Sequence, residues 1–212
     1  MGGVEVGYIT ENTFKGNQAH GAGGALAVQH TSITAIDMNL FEQNKALGPL
    51  PGATANPLVP EGSLGPWLNG GLVCLGDGGA WAPARGGAMV LWPRTDVTSI
   101  SSSVFFENSA QGGGGAVAVD STGPVLKVSL VYNCTFLSNS ASPLERWTNG
   151  STSWWDYLVL EDESALPGSP GGGVSGGALS LSGQGVVVGG LQACTFKDNF
   201  AMDGASGGAL AV

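Results

Sequence analysis

Residues 194–212 read CTFKDNFAMDGASGGALAV, and residues 12–28 read NTFKGNQAHGAGGALAV, the same words at nearly the same spacing. Self-similarity of this kind marks a repeat architecture, in which one unit recurs and its neighbours stack. The word F-x-x-N-x-A occurs five times: at Phe14/Asn17/Ala19, Phe41/Asn44/Ala46, Phe105/Asn108/Ala110, Phe136/Asn139/Ala141 and Phe196/Asn199/Ala201. A second word, Gly-Gly-Ala, follows each one, ending at Ala25, Ala88, Ala116, Ala178 and Ala209. The two words alternate without exception, an order that chance does not produce.

Alignment on the Phe exposes further columns. Val6, Ile33, Val97, Val128 and Val188 stand eight residues before it, and Ile9, Ile36, Ile100, Val131 and Leu191 stand five before it. After Gly-Gly-Ala, alternate positions carry Leu26/Val28, Met89/Leu91, Val117/Val119, Leu179/Leu181 and Leu210/Val212. Period-2 alternation of this kind predicts short strands with one buried face, and the odd gaps between columns predict corners or bulges. The shortest spacing is 27 residues, from Phe14 to Phe41. A unit so small cannot bury its own apolar face and must be covered by the next. Strands stacked in register lie ~4.8 Å apart, which converts every column into a ladder. Five Phe rings stack at roughly 1.5–3 kcal/mol of burial each. Five Asn side chains, Asn17, Asn44, Asn108, Asn139 and Asn199, bond to one another and to turn backbone, since a buried amide needs partners. The predicted fold is all-β: a right-handed parallel β-helix of about five coils.

The alternating Gly-Gly-Ala and F-x-x-N words resemble the repeats of the chlamydial polymorphic outer membrane proteins. That resemblance covers the chain apart from two inserts, and it implies a β-helical passenger domain of an autotransporter or adhesin, extracellular or at the cell surface. The sequence starts within a coil and stops on the strand Ala209–Val212, so the expected reading is an excerpt of a longer solenoid with uncapped ends, open to end-to-end self-association.

Two repeats are too long. Phe41 to Phe105 and Phe136 to Phe196 each exceed the period by about 30 residues, between the Ala of the first word and the following Gly-Gly-Ala. The excesses, roughly 48–84 and 142–174, are predicted to leave one corner of the solenoid, about 10 Å apart along its axis. They carry Trp67, Trp81, Trp147, Trp154 and Trp155, while Trp92 follows Met89–Leu91 and is expected to point outward near the same corner. Exposed aromatics are what carbohydrate and protein partners stack on, so these six are the candidate ligand-binding residues. The alternative is that the rings only seal each loop against the helix.

Chemistry is harder to find. Pectin-cleaving lyases and hydrolases use this architecture and need clustered carboxylates, or a carboxylate-held cation with an Arg or Lys base. Asp37, Glu42, Asp96, Glu107, Asp120 and Asp198 are read as occupying unmatched columns, and only Arg85, Arg94 and Arg146 supply guanidinium groups. The run Glu161-Asp162-Glu163 with Asp156 has the oxygen ligands for Ca²⁺, against the simpler reading of solvated loop charge. His20 and His30 have no companions and read as surface residues. No catalytic residue, metal or cofactor is assigned. The expectation is a non-catalytic protein that displays ligand-binding loops, with a carbohydrate-active enzyme as the alternative. A self-associating scaffold, using Ala25, Ala88, Ala116, Ala178 and Ala209 as an exposed small-residue column, is a third reading.

The net charge of −9 excludes nucleic acid as a natural partner, and no apolar run approaches the ~20 residues that span a bilayer. The expected partner is a protein or carbohydrate at the cell surface. Cys134 and Cys194 share a column with Asn12, Asn39 and Ser103. Parallel side chains place their Cβ atoms too far apart for an easy disulfide, which favours a ladder of thiols. Asn149-Gly150-Ser151 is an exposed glycosylation sequon, whereas Asn133-Cys134-Thr135 is assigned to a strand and read as coincidental.

Overall fold

The computed structural model describes residues 4–20, 22–47, 84–120, 125–142, 176–183, 185–201 and 207–212. The chain winds through successive coils of short parallel strands. Coil one holds β1 (Val4–Thr10), β2 (Thr13–Lys15), β3 (Gln18–His20) and β4 (Leu26–Val28). Coil two holds β5 (Thr31–Asp37), β6 (Leu40–Glu42), β7 (Lys45–Leu47) and β8 (Met89–Leu91). Coil three holds β9 (Asp96–Ser101), β10 (Val104–Phe106), β11 (Ser109–Ala110) and β12 (Val117–Asp120). Coil four holds β13 (Leu126–Tyr132), β14 (Thr135–Leu137), β15 (Ser140–Ala141) and β16 (Leu179–Ser182). Coil five holds β17 (Val186–Val188), β18 (Leu191–Gln192), β19 (Thr195–Lys197), β20 (Phe200–Ala201) and β21 (Leu210–Ala211).

Equivalent strands pair in parallel into four sheets running along the axis, β1-β5-β9-β13-β17 with β18, β2 to β19, β3 to β20, and β4 to β21. This is a right-handed parallel β-helix. The register is the one the columns predict: Val6↔Ile33↔Val97↔Val128↔Val188 and Ile9↔Ile36↔Ile100↔Val131↔Leu191. Phe14, Phe41, Phe105, Phe136 and Phe196 stack face to face, with centroids 4.7, 4.9, 4.7 and 4.8 Å apart and rings within 6° of parallel. Strand spacing dictates that arrangement, because identical side chains in register repeat at the backbone interval.

The Asn file is a hydrogen-bonded ladder. Asn17, Asn44, Asn108 and Asn139 each donate backbone N–H and Nδ2 to the Oδ1 of the next Asn. From the second Asn onward, Nδ2 also donates to the Phe carbonyl one coil back, at 2.9 Å. Every buried side-chain nitrogen and oxygen among the described residues has a partner. Asn44, Asn108 and Asn139 therefore sit at full burial without penalty.

The two outer members depart from the expectation of five buried amides. Asn199 is only half-buried and Asn17 is exposed. The reason is coverage: among the described coils, Asn199 is covered only by coil four and Asn17 only by coil two. Asn199 still closes the ladder, since its Oδ1 takes both bonds from Asn139 and its Nδ2 donates to the Phe136 carbonyl.

Left-handed backbone recurs at the corners, and the first Gly of each Gly-Gly-Ala adopts it too, at φ 63–68°. Glu11, Met38, Ser102, Asn133 and Ala193 turn the first sheet into the second, and Gly16, Gln43, Glu107, Ser138 and Asp198 turn the second into the third, all at φ between 46° and 66°. The fourth sheet is entered through Gly-Gly-Ala. Here the structure overturns the exposed small-residue column, because Ala88, Ala116 and Ala178 are fully buried in the core, and Ala25 and Ala209 in the outer coils are half-buried. Consecutive amides mark the corner: Ala88 and Met89 N–H both donate to the Ala116 carbonyl, and Ala116 and Val117 N–H both donate to that of Ala178. Every coil has the same residues here and none is inserted; the strand alternation begins only after the corner, and Ala88 and Met89 both lie in the core. No helix among the described residues is long and apolar enough to cross a membrane.

Candidate functional site

Of the six tryptophans, Trp67, Trp81, Trp147, Trp154 and Trp155 lie outside the described residues, as do the Asn149 sequon, Cys74, Asp156 and the run Glu161–Glu163. The backbone on either side of the two long stretches is described. Lys45–Leu47 and Ser140–Ala141 flank β11 in the same sheet, Gln111 N–H bonds the Ala46 carbonyl, and Ser142 N–H bonds that of Ala110.

Trp92 is described. It follows β8, whereas the long stretch precedes β8, so residues 85–91 lie between that stretch and Trp92. Its N–H donates to the Val28 carbonyl at 3.0 Å. Leu91 pairs with Val28 and Val119, and Asp120 with Ser182. The residues one step beyond the inward Val28, Leu91, Val119 and Leu181 are Gln29, Trp92, Asp120 and Ser182, which form an outward row across four coils. All four are half-buried.

Arg85 reaches this row from the other end of the sheet. Its backbone bridges to Ala22 just before Gly86, yet its guanidinium Nη1 lies 2.8 Å from Asp120 Oδ2 and donates to Ser182 Oγ at 2.9 Å. Ser182 Oγ donates in turn to Asp120 Oδ1 at 3.3 Å. The Arg85 side chain thus crosses the outward face whose central residues, Val90, Ala118 and Ser180, are no more than 2% exposed. The ion pair is mostly buried, with side chains 24% and 20% accessible. What it does is hold an acid, a guanidinium and a hydroxyl in one place. In the sequence Arg85 and Asp120 stand apart as unrelated charges; a side chain reaching along the sheet joins them.

The other carboxylates are dispersed. Asp37 accepts from Ser101 Oγ at 2.6 Å, and Glu42 pairs with Lys15 at 2.8 Å. Glu107 accepts from Gln43 Nε2 at 2.9 Å. Asp96 stands in register with Ser32 and Lys127. One correction is needed: Glu107 and Asp198 share a corner column, with Ser138 between them. Two strand spacings, about 10 Å, keep them from sharing a proton.

Cys134 and Cys194 are both free thiols. Their column has a common task, which is donation to the carbonyl two residues back: Asn12 to Thr10, Asn39 to Asp37, Ser103 to Ser101, Cys134 to Tyr132 and Cys194 to Gln192. Burial pushes the Cys134 thiol up to about 11, reinforced by the neighbouring Cys194 and Asp37 and opposed by hydrogen bonds with Ser103 and Tyr132 backbone. Asn133 lies not in a strand but at an exposed corner just beyond β13, at φ 52°. Its sequon is therefore at the surface.

The family model of the Chlamydia polymorphic membrane protein repeat matches residues 102–120. Coil three is similar to that repeat. The matched segment spans Phe105, Asn108 and the Gly114-Gly115-Ala116 corner, and it ends on Asp120, the acid that holds Arg85. No curated protein and no solved structure matches the chain.

Proposed function

We propose that the chain is a non-catalytic, surface-displayed β-helical segment whose lateral faces bind a protein or carbohydrate ligand, as an adhesin does. The observation that carries this reading is the match of coil three to a polymorphic membrane protein repeat, within ladders that run unbroken from Phe14 to Phe196. A rigid stack of parallel coils is suited to presenting side chains at fixed intervals along a surface. The non-catalytic part is supported, among the described residues, by Asp37, Glu42, Glu107 and Asp120, which are engaged by Ser101, Lys15, Gln43 and Arg85. The tryptophan-bearing stretches are further candidate contacts in this reading.

The test is adherence. Beads coated with the chain are expected to adhere to cultured cells above beads coated with the heat-denatured chain, and to release no sugar from polysaccharide substrates. Equal adherence of the two preparations, or steady release of reducing ends, overturns the reading.

A further inference from the structure

We infer that Cys134 and Cys194 form a two-thiolate site for Cu(I). The inference goes beyond the adhesive reading and does not depend on it.

The two cysteines occupy equivalent places in coils four and five. Cys134 Sγ lies 3.4 Å from the Tyr132 carbonyl, two residues back, and 3.5 Å from the Ile100 carbonyl, one coil back. Cys194 Sγ has the same pair of neighbours, the Gln192 carbonyl at 3.3 Å and the Val131 carbonyl at 3.7 Å. Equivalent groups of these coils repeat at the strand interval, as the rings of Phe136 and Phe196, two residues further on, do at 4.8 Å. The two sulfurs therefore stand about 4.8 Å apart, side by side. A metal–thiolate bond is ~2.3 Å long, so a cation midway between them reaches both with little change of either side chain. A disulfide is the competing product, and it needs the sulfurs to close to ~2.05 Å and leave their carbonyls.

Ligand number selects the metal. Thiolates favour soft cations, and zinc takes four ligands in its structural sites. The next member of the column cannot supply a third: Ser103 Oγ donates to the Ser101 carbonyl and accepts from the Asn39 N–H. No group of three or more His, Cys, Asp or Glu side chains suited to a metal occurs among the described residues. Cu(I) is soft and is saturated by two thiolates in line.

Binding releases two protons. Both thiols give theirs to water, two Cu–S bonds form, and no electron is transferred. Coordination removes a thiol proton even where burial holds it. Asp37 lies close enough to act on Cys134 through its charge, and it adds attraction for a cation. Cys194 is half-buried, which gives the cation access to the sulfur pair from that side.

The test uses the full chain with Cys74→Ser, which removes the third thiol, under anaerobic reducing conditions. It is expected to retain Cu(I) at one per chain against a chromogenic Cu(I) chelator, with two sulfur neighbours by X-ray absorption. Adding Cys134→Ser or Cys194→Ser should lower the affinity more than about a hundredfold, beyond what loss of a hydrogen bond to a metal ligand costs. Ser103 already fills this column and bonds the carbonyl two residues back, so serine suits the fold at either place. Circular dichroism verifies folding, and either folded variant decides. No retained Cu(I), equal retention by a folded serine variant, or a copper shell without two sulfurs overturns the inference.

Discussion

Asn108 Oδ1 takes two hydrogen bonds from Asn44, one from its backbone N–H and one from Nδ2, both at 3.0 Å. Asn108 Nδ2 meanwhile donates to the Phe41 carbonyl and to Asn139 Oδ1. One buried side chain therefore satisfies backbone and side-chain groups on coils either side of its own. Asn108→Ala should orphan at least two buried donors, at ~1–3 kcal/mol apiece. Asn17, exposed in coil one, only donates to Asn44, so Asn17→Ala should cost far less. Urea unfolding checks this: a midpoint loss for Asn108→Ala at least twice that for Asn17→Ala is expected, and equal losses would contradict the ladder.

Much of this was legible in the chain, and the reason is strand stacking. Phe, Asn and aliphatic columns recur in sequence because they recur in space, so aligning Phe14 with Phe41 already yields the register Val6↔Ile33. What was not legible depends on local backbone and on position in the stack. Asn199 and Asn108 sit in the same word, yet their burial differs because one has described coils on both sides and the other on one. The corner that buries Ala88 carries no signal beyond Gly-Gly, which does not say whether the following Ala faces in or out. The left-handed corners are occupied by Met38, Gln43, Glu107 and Ala193, residue types that do not announce that conformation. The Arg85–Asp120 pair joins residues 35 positions apart through a side chain crossing a sheet, which no spacing rule encodes.

In the first four Gly-Gly-Ala corners the two glycines are required for different reasons. Gly86 sits at φ 67°, which a side chain rarely adopts, while a Cβ on Gly87 would fall on the Gly115 carbonyl oxygen. The coils cannot separate to make room, since their spacing is set by the parallel ladder. Gly87→Ala should abolish cooperative folding or cost several kcal/mol. Gly7, in β1, has nothing within 4 Å of its Cβ position, so Gly7→Ala should cost nothing and gain roughly 0.4–1 kcal/mol from the less flexible unfolded chain. Limited proteolysis of the two variants under identical conditions should degrade only the first.

Ala193 offers the opposite experiment. It is exposed and held at φ 53°, where a Cβ costs roughly 1–2 kcal/mol. Glycine removes that strain but adds ~0.4–1 kcal/mol of unfolded-chain entropy. The balance favours the variant, and Ala193→Gly should raise the thermal midpoint. A lowered midpoint would mean that the corner is not strained.

Cys134 should make stability fall in alkali. Its thiol is raised from the ordinary 9.0 to about 11, chiefly by burial, so the fold favours the protonated form. The unfolded chain loses that proton first as pH climbs past 9.0, and the contribution is complete below 9.0 and lost through about 11. Two units correspond to about 2–3 kcal/mol over that window. Cys134→Ser removes the titration while keeping a donor toward the Tyr132 carbonyl, as Ser103 does toward Ser101 in the coil below. All other groups are common to both proteins, so the informative quantity is the difference between the two. Measured by urea unfolding at pH 8 and pH 10.5, the wild type should lose more stability than Cys134→Ser. Parallel losses would show that the thiol is not held in the dry interior of the coil.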